Sequence, residues 1–243
     1  MHIFRGTLSE PPNPSISRQL YQFRKQVFAD RLGWEVSPEG DQERDGYDTE
    51  QTRWVLIEDD GELIACVRLL SCDGPYMMPD IFPSTLAGEP APRTAQSWEM
   101  TRLAIDAERA PRFGNGVSEL TLVLFRETNA YAMEHGVKEL IGVASTPVER
   151  IYRRLGLPIT RLGHGKPVDL GVVRGLGIRL TVGDALASAV DVPLSGHYFP
   201  YPRQPSSPLY PLTQETSSPE AKTTSRRDNR PSPQNQDGAT QVG

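Results

Sequence analysis

Two apolar stretches separated by a short turn constrain the fold of this chain most strongly. Residues 53–58 and 63–70 are each long enough for one strand. Asp59-Asp60-Gly61 lies between them and has the turn chemistry of a β-hairpin. The sequence therefore predicts an antiparallel pair of strands at this point.

Helical and strand periodicities surround the hairpin. The predicted helices cover residues 17–31, 117–135 and 146–154, and further strands are predicted over 98–105, 137–144, 168–173 and 178–180. The last helix begins at Thr146-Pro147-Val148-Glu149, which combines a capping box with a proline at the first helical position. Residues 34–50 are predicted to form a loop and residues 75–92 a proline-rich connection. This order of elements indicates an α/β domain with a mixed sheet and helices on both faces.

Composition divides the chain into a domain and a tail. Residues 201–243 are rich in proline, serine, threonine and glutamine, so they cannot bury enough apolar surface to offset the entropy lost on ordering. This segment accounts for part of the low mean hydropathy of -0.46 and of the 22 prolines. We expect a folded domain over residues 1–200 and a disordered tail over 201–243.

Several classes of protein are excluded by composition. There is no apolar run of the roughly 18 residues needed for a transmembrane helix, and the N-terminus lacks the apolar stretch of a secretory signal. Two cysteines and four scattered histidines give neither a disulfide framework nor a metal signature. The net charge of -5 argues against a nucleic-acid partner. A soluble cytoplasmic protein without a metal is expected.

Two predicted strands carry charged residues among apolar neighbours. Arg68 shares a strand face with Cys66 and Leu70, and it needs a partner unless it reaches water at the strand end. Glu99 and Arg102 are three residues apart, so a regular strand would direct them to opposite faces. A single cleft that contains both residues requires a β-bulge nearby. Otherwise one of them lies at the core edge and the other in solvent.

Polar residues also cluster outside these strands. Arg24 and Phe28 are one helical turn apart and share one flank of the first helix. The loop that follows is rich in carboxylates, including Asp45 and Asp48, which alone is more typical of a solvated loop than of a metal site. A glycine-containing loop at residues 111–116 precedes the long helix, where backbone N–H groups can bind a phosphate, although such loops are common as turns.

Four sequence blocks together resemble the LuxI-type acyl-homoserine-lactone synthases, which make bacterial quorum-sensing signals. The blocks are FRKQVFADRLGW at 23–34, DGYD at 45–48, CVRLL continuing to GPYMMPDIFP at 66–83, and WEMTRLAID at 98–106. The resemblance covers about residues 1–195, and the tail has no counterpart in the family. It implies a GNAT-like fold with a mixed, mostly antiparallel sheet flanked by helices.

The resemblance also implies an acyltransferase with two substrates and no cofactor. The amine of S-adenosylmethionine attacks a fatty acyl thioester, usually carried on acyl carrier protein, and forms an amide. The carboxylate then displaces the sulfonium group, which closes the lactone and releases methylthioadenosine.

The family pattern assigns two overlapping sets of residues to this chemistry. The expected S-adenosylmethionine site comprises Arg24, Phe28, Trp34, Asp45, Asp48, Arg68, Met77, Phe82 and Arg102. The expected catalytic set comprises Glu99, Arg102, Arg24, Asp45, Asp48 and Arg68.

The chemical roles of these residues follow from the substrate. The aromatic faces suit the sulfonium cation and adenine, the carboxylates suit the positive groups, and the arginines suit the substrate carboxylate. Glu99 is the candidate base for the amine, directly or through a water, and backbone N–H groups near residues 100–103 are candidates for the oxyanion. Alternatively, the charged residues form one mutually neutralising network that orders the N-terminal region.

In the family the acyl pocket lies between the sheet and the long helix. The expected lining residues are Leu122, Phe125, Leu140, Gly142, Val143 and Ala144, and for most of them an ordinary core position is the alternative. Members that make 3-oxo-acyl signals commonly have a threonine at the position of Gly142, whose hydroxyl can bind the 3-oxo group. Glycine has no such group, so the resemblance implies an unsubstituted acyl chain of medium length.

An acidic carrier protein requires a basic docking surface. The expected surface is Arg150, Arg153 and Arg154 on the helix over 146–154, with a merely solvated helix face as the alternative. A GNAT N-acyltransferase that uses acyl-CoA is the alternative function, with the loop at 111–116 binding the pyrophosphate. A non-catalytic sensor of S-adenosylmethionine is a third possibility.

Overall fold

The computed structural model describes residues 1–106, 108–110, 117–171 and 173–201 of the chain. Within them nine strands form one mixed sheet in the order β6-β8-β5-β4-β3-β2-β1-β9, with β7 paired to β8. The strands are β1 His2–Thr7, β2 Arg53–Asp59, β3 Glu62–Ser71, β4 Ser97–Ile105, β5 Glu139–Ser145, β6 Ile159–Arg161, β7 Val168–Asp169, β8 Arg174–Thr181 and β9 Phe199–Pro200. Only β4–β5 and β1–β9 pair in parallel among these residues. The predicted mixed, mostly antiparallel sheet is confirmed.

Helices cover both faces of the sheet. They are α1 Ile16–Arg24, α2 Met77–Ile81, α3 Glu119–Glu134, α4 Thr146–Arg154 and α5 Asp184–Val190, with a π-helical segment at Lys25–Arg31 and a 3₁₀ turn at Pro83–Leu86. The larger core packs α3, α5 and Tyr152 of α4 against one face. Two smaller clusters, one around α1 and one around α2, pack against strand residues on the opposite face of the sheet.

The predicted hairpin is the β2–β3 pair. Asp60 and Gly61 both have positive φ angles, 52° and 79°. A type I′ turn requires this at both central positions, and it matches the twist of the flanking strands.

Strand β4 contains the bulge that a common cleft for Glu99 and Arg102 requires. Cys66 pairs with Ala104 and Arg68 with Thr101, so one residue of β3 faces two residues of β4. Arg102 in the bulge has a φ of 50°, which is uncommon for a residue with a side chain. The bulge brings Arg102 to the same sheet face as Glu99, whereas Met100 packs into the larger core.

Strands β4 and β5 pair only at their beginnings. The parallel ladder joins residues 97–99 to residues 139–141, and it ends at the Glu99–Ile141 pair. Both strands continue beyond this point, β4 to Ile105 and β5 to Ser145. Glu99 therefore stands where the two central strands lose their pairing.

Some local predictions were wrong in detail. The first helix continues as the π-helical segment, and the proline-rich connection contains α2. The cap of α4 is Ser145, whose hydroxyl accepts a hydrogen bond from the Val148 N–H, and not Thr146 of the expected capping box. Strands β1, β6 and β9 and helix α5 were not predicted.

The domain boundary and the glycine loop are only partly described. Tyr201, the first residue of the predicted tail, donates a hydrogen bond from its hydroxyl to Glu58 at 2.8 Å. The rest of the predicted tail and the glycine loop at 111–116 lie outside the described residues. Among the described helices, none is both long and apolar enough to cross a membrane.

The identity of the α4 cap can be tested by stability. Replacing Ser145 by alanine removes the side-chain acceptor at the helix start and should lower the free energy of unfolding by about 1 kcal/mol. Thr146→Ala removes only an exposed hydrogen bond to the Arg174 carbonyl and should cost less. Urea unfolding of both variants measures the difference. A larger loss of stability in Thr146→Ala would show that Thr146 is the cap, as the capping box predicted.

Candidate active site

An arginine–carboxylate network (Arg24, Arg68, Arg102, Glu43, Asp45 and Asp48) joins four parts of the fold. The arginines come from α1, β3 and β4, and the carboxylates all come from the irregular loop before β2. Arg24 and Arg68 are fully buried, and Glu43 is only 1% exposed. Buried charges persist only when they are paired, so the loop is held against the sheet by these ion pairs.

Arg24 ties α1 to the loop. Its Nε donates to Glu43 Oε2 at 2.6 Å, and its Nη1 donates to both Asp48 oxygens at 2.8 Å. Burial disfavours the charged guanidinium, but Glu43 and Asp48 more than compensate and raise its pKa. Arg24 therefore stays charged, and one of its nitrogens, Nη2, lacks a hydrogen-bond partner among the described residues.

Arg68 joins β3 to the same loop. Its Nη1 donates to Asp45 Oδ1 at 2.6 Å and to Asp48 Oδ1 at 2.8 Å, and its Nε donates to Thr101 Oγ1 at 2.9 Å. The remaining Nη2 lies 3.0 Å from the sulfur of Met77. The alternative that Arg68 reaches water at the strand end is wrong.

Arg102 completes the network from the bulge. Its Nη2 donates to Glu43 Oε1 at 3.1 Å and to Asp45 Oδ2 at 2.9 Å. Burial alone would raise the pKa of Asp45, but the hydrogen bond and charge of Arg68 and the charges of Arg102 and Arg24 hold it below its usual value. Asp45 is thus an ionised partner of these arginines.

Aromatic residues flank the network. The guanidinium of Arg102 lies over the buried ring of Phe28, 5.4 Å from its centroid. Trp34 stacks obliquely on Phe28 with centroids 4.8 Å apart, and 39% of Trp34 remains exposed. An exposed indole face beside buried charges is suited to a flat or cationic ligand.

Glu99 stands apart from the network. It is 1% exposed, and within the described chain no arginine lies within ion-pair distance of it. Its Oε2 accepts the Met77 N–H at 2.7 Å, whereas Oε1 has no hydrogen-bond partner among the described residues. Burial raises the pKa of Glu99 to about 7, although the Met77 and Met78 N–H groups and the charge of Arg68 oppose this. A carboxylate with one free oxygen and this pKa is suited to proton transfer near neutral pH.

The remaining residues of the expected S-adenosylmethionine site lie on or next to α2. Met77 touches both Arg68 and Arg102 through its sulfur, at 3.0 and 3.9 Å. Phe82 packs against the small cluster around α2, which includes Leu70 and Ile141. Met77 is thus part of the network's surroundings, whereas Phe82 lies in the neighbouring apolar cluster.

The expected acyl-pocket residues divide between the two faces of β5. Leu122, Phe125, Leu140 and Ala144 belong to the core between the sheet and α3. Val143 packs with Ile141 on the opposite face, because successive strand residues alternate. Val143 therefore cannot line a pocket between the sheet and α3.

Gly142 lies at a close approach of β4 to β5. A Cβ atom at this position would lie 2.8 Å from the Met100 carbonyl oxygen, closer than real Cβ contacts. Packing alone therefore favours glycine at this position.

The expected docking residues are exposed on α4. Arg153 is paired with Glu149 at 2.9 Å, and Arg161 shares the same carboxylate. Arg150 and Arg154 have no ion-pair partner among the described residues. The helix thus offers two free positive charges.

Sequence reasoning missed Glu43 and Thr101, which both bind the network's arginines. Glu43 lies in an acidic loop that looks solvated, and Thr101 is an ordinary strand residue. Thr101 lies between Glu99 and Arg102, beside the bulge, and this position could have identified it as part of the site. Among the described residues no group of three or more histidine, cysteine, aspartate or glutamate residues is arranged to hold a metal ion.

The weight of Glu43 in the network can be measured against a neighbour. Glu43→Gln leaves Arg24 and Arg102 short of one buried negative charge, so the free energy of unfolding should fall by about 3 kcal/mol. Asp41→Asn, two residues away and exposed, is the matched control and should change it little. Urea unfolding of both variants checks this, and equal effects would contradict the assigned role.

Comparison with known proteins agrees with this geometry. The family model described as autoinducer synthase matches residues 10–189. Acyl-homoserine-lactone synthases of Aeromonas hydrophila and Aeromonas salmonicida are each 57% identical over 198 residues, which is 82% of this chain and 96% of the relative.

Solved structures show the same fold. The AHL synthase LasI is 29% identical with a TM-score of 0.69, over 80% of this chain and 98% of that one. TofI, in a ternary complex with an inhibitor and MTA, is 30% identical with a TM-score of 0.66, over 79% of this chain and 98% of TofI. The GNAT-like fold is confirmed, and the chain belongs to the autoinducer synthase family, the acyl-homoserine-lactone synthases, which are acyltransferases.

Proposed function

We propose that this synthase makes an N-acyl-L-homoserine lactone from S-adenosylmethionine and an unsubstituted, medium-length acyl chain carried on acyl carrier protein. The observation that carries the proposal is Glu99, a buried carboxylate with a free oxygen and a pKa near 7. It stands at the point where β4 and β5 lose their pairing. No cofactor is required, because S-adenosylmethionine is itself consumed.

The network and its aromatic flank form the proposed S-adenosylmethionine site. Phe28 and Trp34 offer aromatic faces to adenine or the sulfonium, and arginine N–H groups suit the substrate carboxylate. The Nη2 group of Arg24 is an unused donor in this region. The related TofI, whose structure contains MTA, supports this assignment, since methylthioadenosine is the expected product.

In the first step Glu99 takes a proton from the ammonium group of S-adenosylmethionine. The amine then attacks the thioester carbon, the C–S bond breaks, and an amide and a free thiol result. Backbone N–H groups of residues 100–103, beyond the end of the β4–β5 ladder, are the proposed donors to the tetrahedral oxyanion.

In the second step the substrate carboxylate attacks the carbon attached to the sulfonium. The carbon–sulfur bond breaks and its electron pair leaves with methylthioadenosine. The new carbon–oxygen bond closes the lactone. This step needs no external base, so the network's role is to orient the carboxylate and stabilise the charges.

The acyl chain is proposed to enter between the unpaired parts of β4 and β5, towards Leu122, Phe125 and Leu140. Gly142 offers no hydroxyl to a 3-oxo group, which supports an unsubstituted chain. The close approach of Met100 explains the glycine equally well, so only the product decides.

The donor is proposed to be acyl carrier protein because α4 presents unpaired positive charges to an acidic partner. BjaI, which is described as CoA-dependent, shares the fold at 19% identity. The alternative donor is therefore acyl-CoA.

One assay tests the whole proposal. Purified protein is incubated with S-adenosylmethionine and a panel of acyl thioesters on carrier protein or CoA, and the products are identified by mass spectrometry. Release of methylthioadenosine with an unsubstituted acyl lactone from the carrier substrates is expected. Acylated amine without methylthioadenosine would indicate an N-acyltransferase. The absence of any product would indicate a sensor. A mainly 3-oxo product would contradict the assignment from Gly142.

The role of Glu99 predicts a pH profile. Glu99 accepts a proton only when ionised, so kcat/KM should rise with pH to a plateau, with a midpoint near 7. Glu99→Gln should lower kcat/KM by at least about 100-fold.

The stability of this variant separates catalysis from folding. Burial raises the pKa of Glu99 from 4.5 to about 7 in the folded protein. The stability contributed by its protonated form is therefore complete below about pH 4.5 and is lost as the pH rises through 7. Glu99→Gln should therefore be no less stable than the unmodified protein at pH 8. A variant that is fully active, or inactive only because it is unfolded, would remove Glu99 from the mechanism.

The docking surface predicts a salt-dependent defect. Arg150→Glu should weaken the interaction with acyl carrier protein at low salt, raising KM for the carrier substrate about tenfold, and adding Arg154→Glu should increase the effect. Arg18→Glu, an equal charge change at an exposed site on α1, is the control. If the α4 and α1 variants behave alike at low salt, docking does not occur on α4.

A further inference from the structure

A hydrogen bond connects the acidic loop to helix α2 outside the network. Tyr47 lies between Asp45 and Asp48, and its hydroxyl donates to Asp80 Oδ2 at 3.1 Å. Asp80 is an exposed residue of α2. Among the described residues, it is the only side-chain hydrogen bond that joins this loop to α2.

Both ends of this bond lead to the site. The ring of Tyr47 lies beneath the guanidinium of Arg68, with 5.8 Å between the carbon Cζ and the ring centroid. At the other end, the first residue of α2 is Met77, whose N–H donates to Glu99. The placement of α2 therefore decides whether Glu99 keeps its hydrogen bond.

We propose that Tyr47 and Asp80 are positioning residues, which hold α2 in place so that the Met77 N–H remains on Oε2 of Glu99 and Oε1 is left for the substrate. This inference rests on the proposed role of Glu99 as the base.

Helix α2 needs such an anchor because it has only five residues. A helix this short is not stable by itself and depends on tertiary contacts. Its preceding residue is held by the Tyr76 hydroxyl, which donates to the Pro92 carbonyl at 2.6 Å, and Met78 is buried. The Tyr47–Asp80 bond fixes the exposed side of the helix.

The phenol is a suitable donor for this purpose. Burial and the hydrogen bond to Asp80 raise the pKa of Tyr47 to about 12. The hydroxyl therefore keeps its proton throughout the range in which Glu99 titrates.

Several other groups near Glu99 also affect its titration. The charge of Arg68 lowers its pKa and the charge of Asp80 raises it. The thiol of Cys72 and the phenols of Tyr76 and Tyr47 are also close enough to interact with its charge. Tyr47→Phe leaves every one of these charges unchanged at neutral pH, so it isolates the hydrogen bond.

The test measures the titration of Glu99 directly in the full chain. Carboxyl ¹³C NMR follows the Glu99 resonance, identified by its absence in Glu99→Gln. Tyr47→Phe should weaken the Met77 hydrogen bond and raise the midpoint of Glu99 by about half a unit or more, with kcat/KM at pH 7 reduced about twofold or more. Tyr201→Phe removes another tyrosine–carboxylate hydrogen bond, to Glu58 near the β9 edge, and should change neither value.

A double-mutant cycle shows whether Tyr47 acts through Asp80. In Asp80→Ala the connection is already absent, so adding Tyr47→Phe should produce no further shift. A shift that persists in this background, or a midpoint unchanged in Tyr47→Phe alone, overturns the proposal. If the NMR midpoint shifts but the pH profile of kcat/KM does not follow, the positioning stands and the role of Glu99 as base fails.

A second comparison applies if Tyr47→Phe does not fold. Asp80→Asn and Asp80→Ala remove the same charge, but only the alanine variant removes the acceptor oxygen. The Glu99 midpoint should be higher in Asp80→Ala than in Asp80→Asn. Equal midpoints overturn the proposal.

Discussion

The pairing of three arginines, two of them fully buried and Arg102 partly buried, with three carboxylates is the constraint on which the site depends. The loop between the π-helical segment and β2 has little regular structure of its own, and its carboxylates anchor it to α1, β3 and β4. Removing one partner leaves a buried charge uncompensated, so the loop, the helix and the sheet are energetically coupled. The wall of the candidate substrate site is thus made by electrostatics more than by apolar packing.

The carboxyl group serves two purposes in this site. Asp45 is surrounded by guanidinium groups, which favour its ionised form and keep its pKa low. Glu99 has only backbone N–H groups as hydrogen-bond partners in the described structure, and burial raises its pKa. Their environments therefore separate a structural carboxylate from one able to exchange a proton near neutral pH.

Local signals predicted the elements that are long or have special turn chemistry. The Asp60-Gly61 hairpin, α3 and α4 follow from periodicity and turn residues, and the bulge in β4 was expected if Glu99 and Arg102 share a cleft. Strand β1 and the two-residue β9 depend on pairing between distant segments, which leaves no local pattern. Glu43 was missed because a carboxylate that binds two arginines looks the same in sequence as a solvated one.

The bulge in β4 makes the number of residues between Glu99 and Arg102 as important as their identities. Opposite Val67, β4 has one residue more than β3. Because of this extra residue, Glu99 and Arg102 share one face of the sheet although they are three residues apart. A substitution in this segment changes one side chain and leaves the direction of the others unchanged. The insertion or loss of a single residue between Glu99 and Arg102 would instead direct Arg102 towards the core on the other face and remove it from the network.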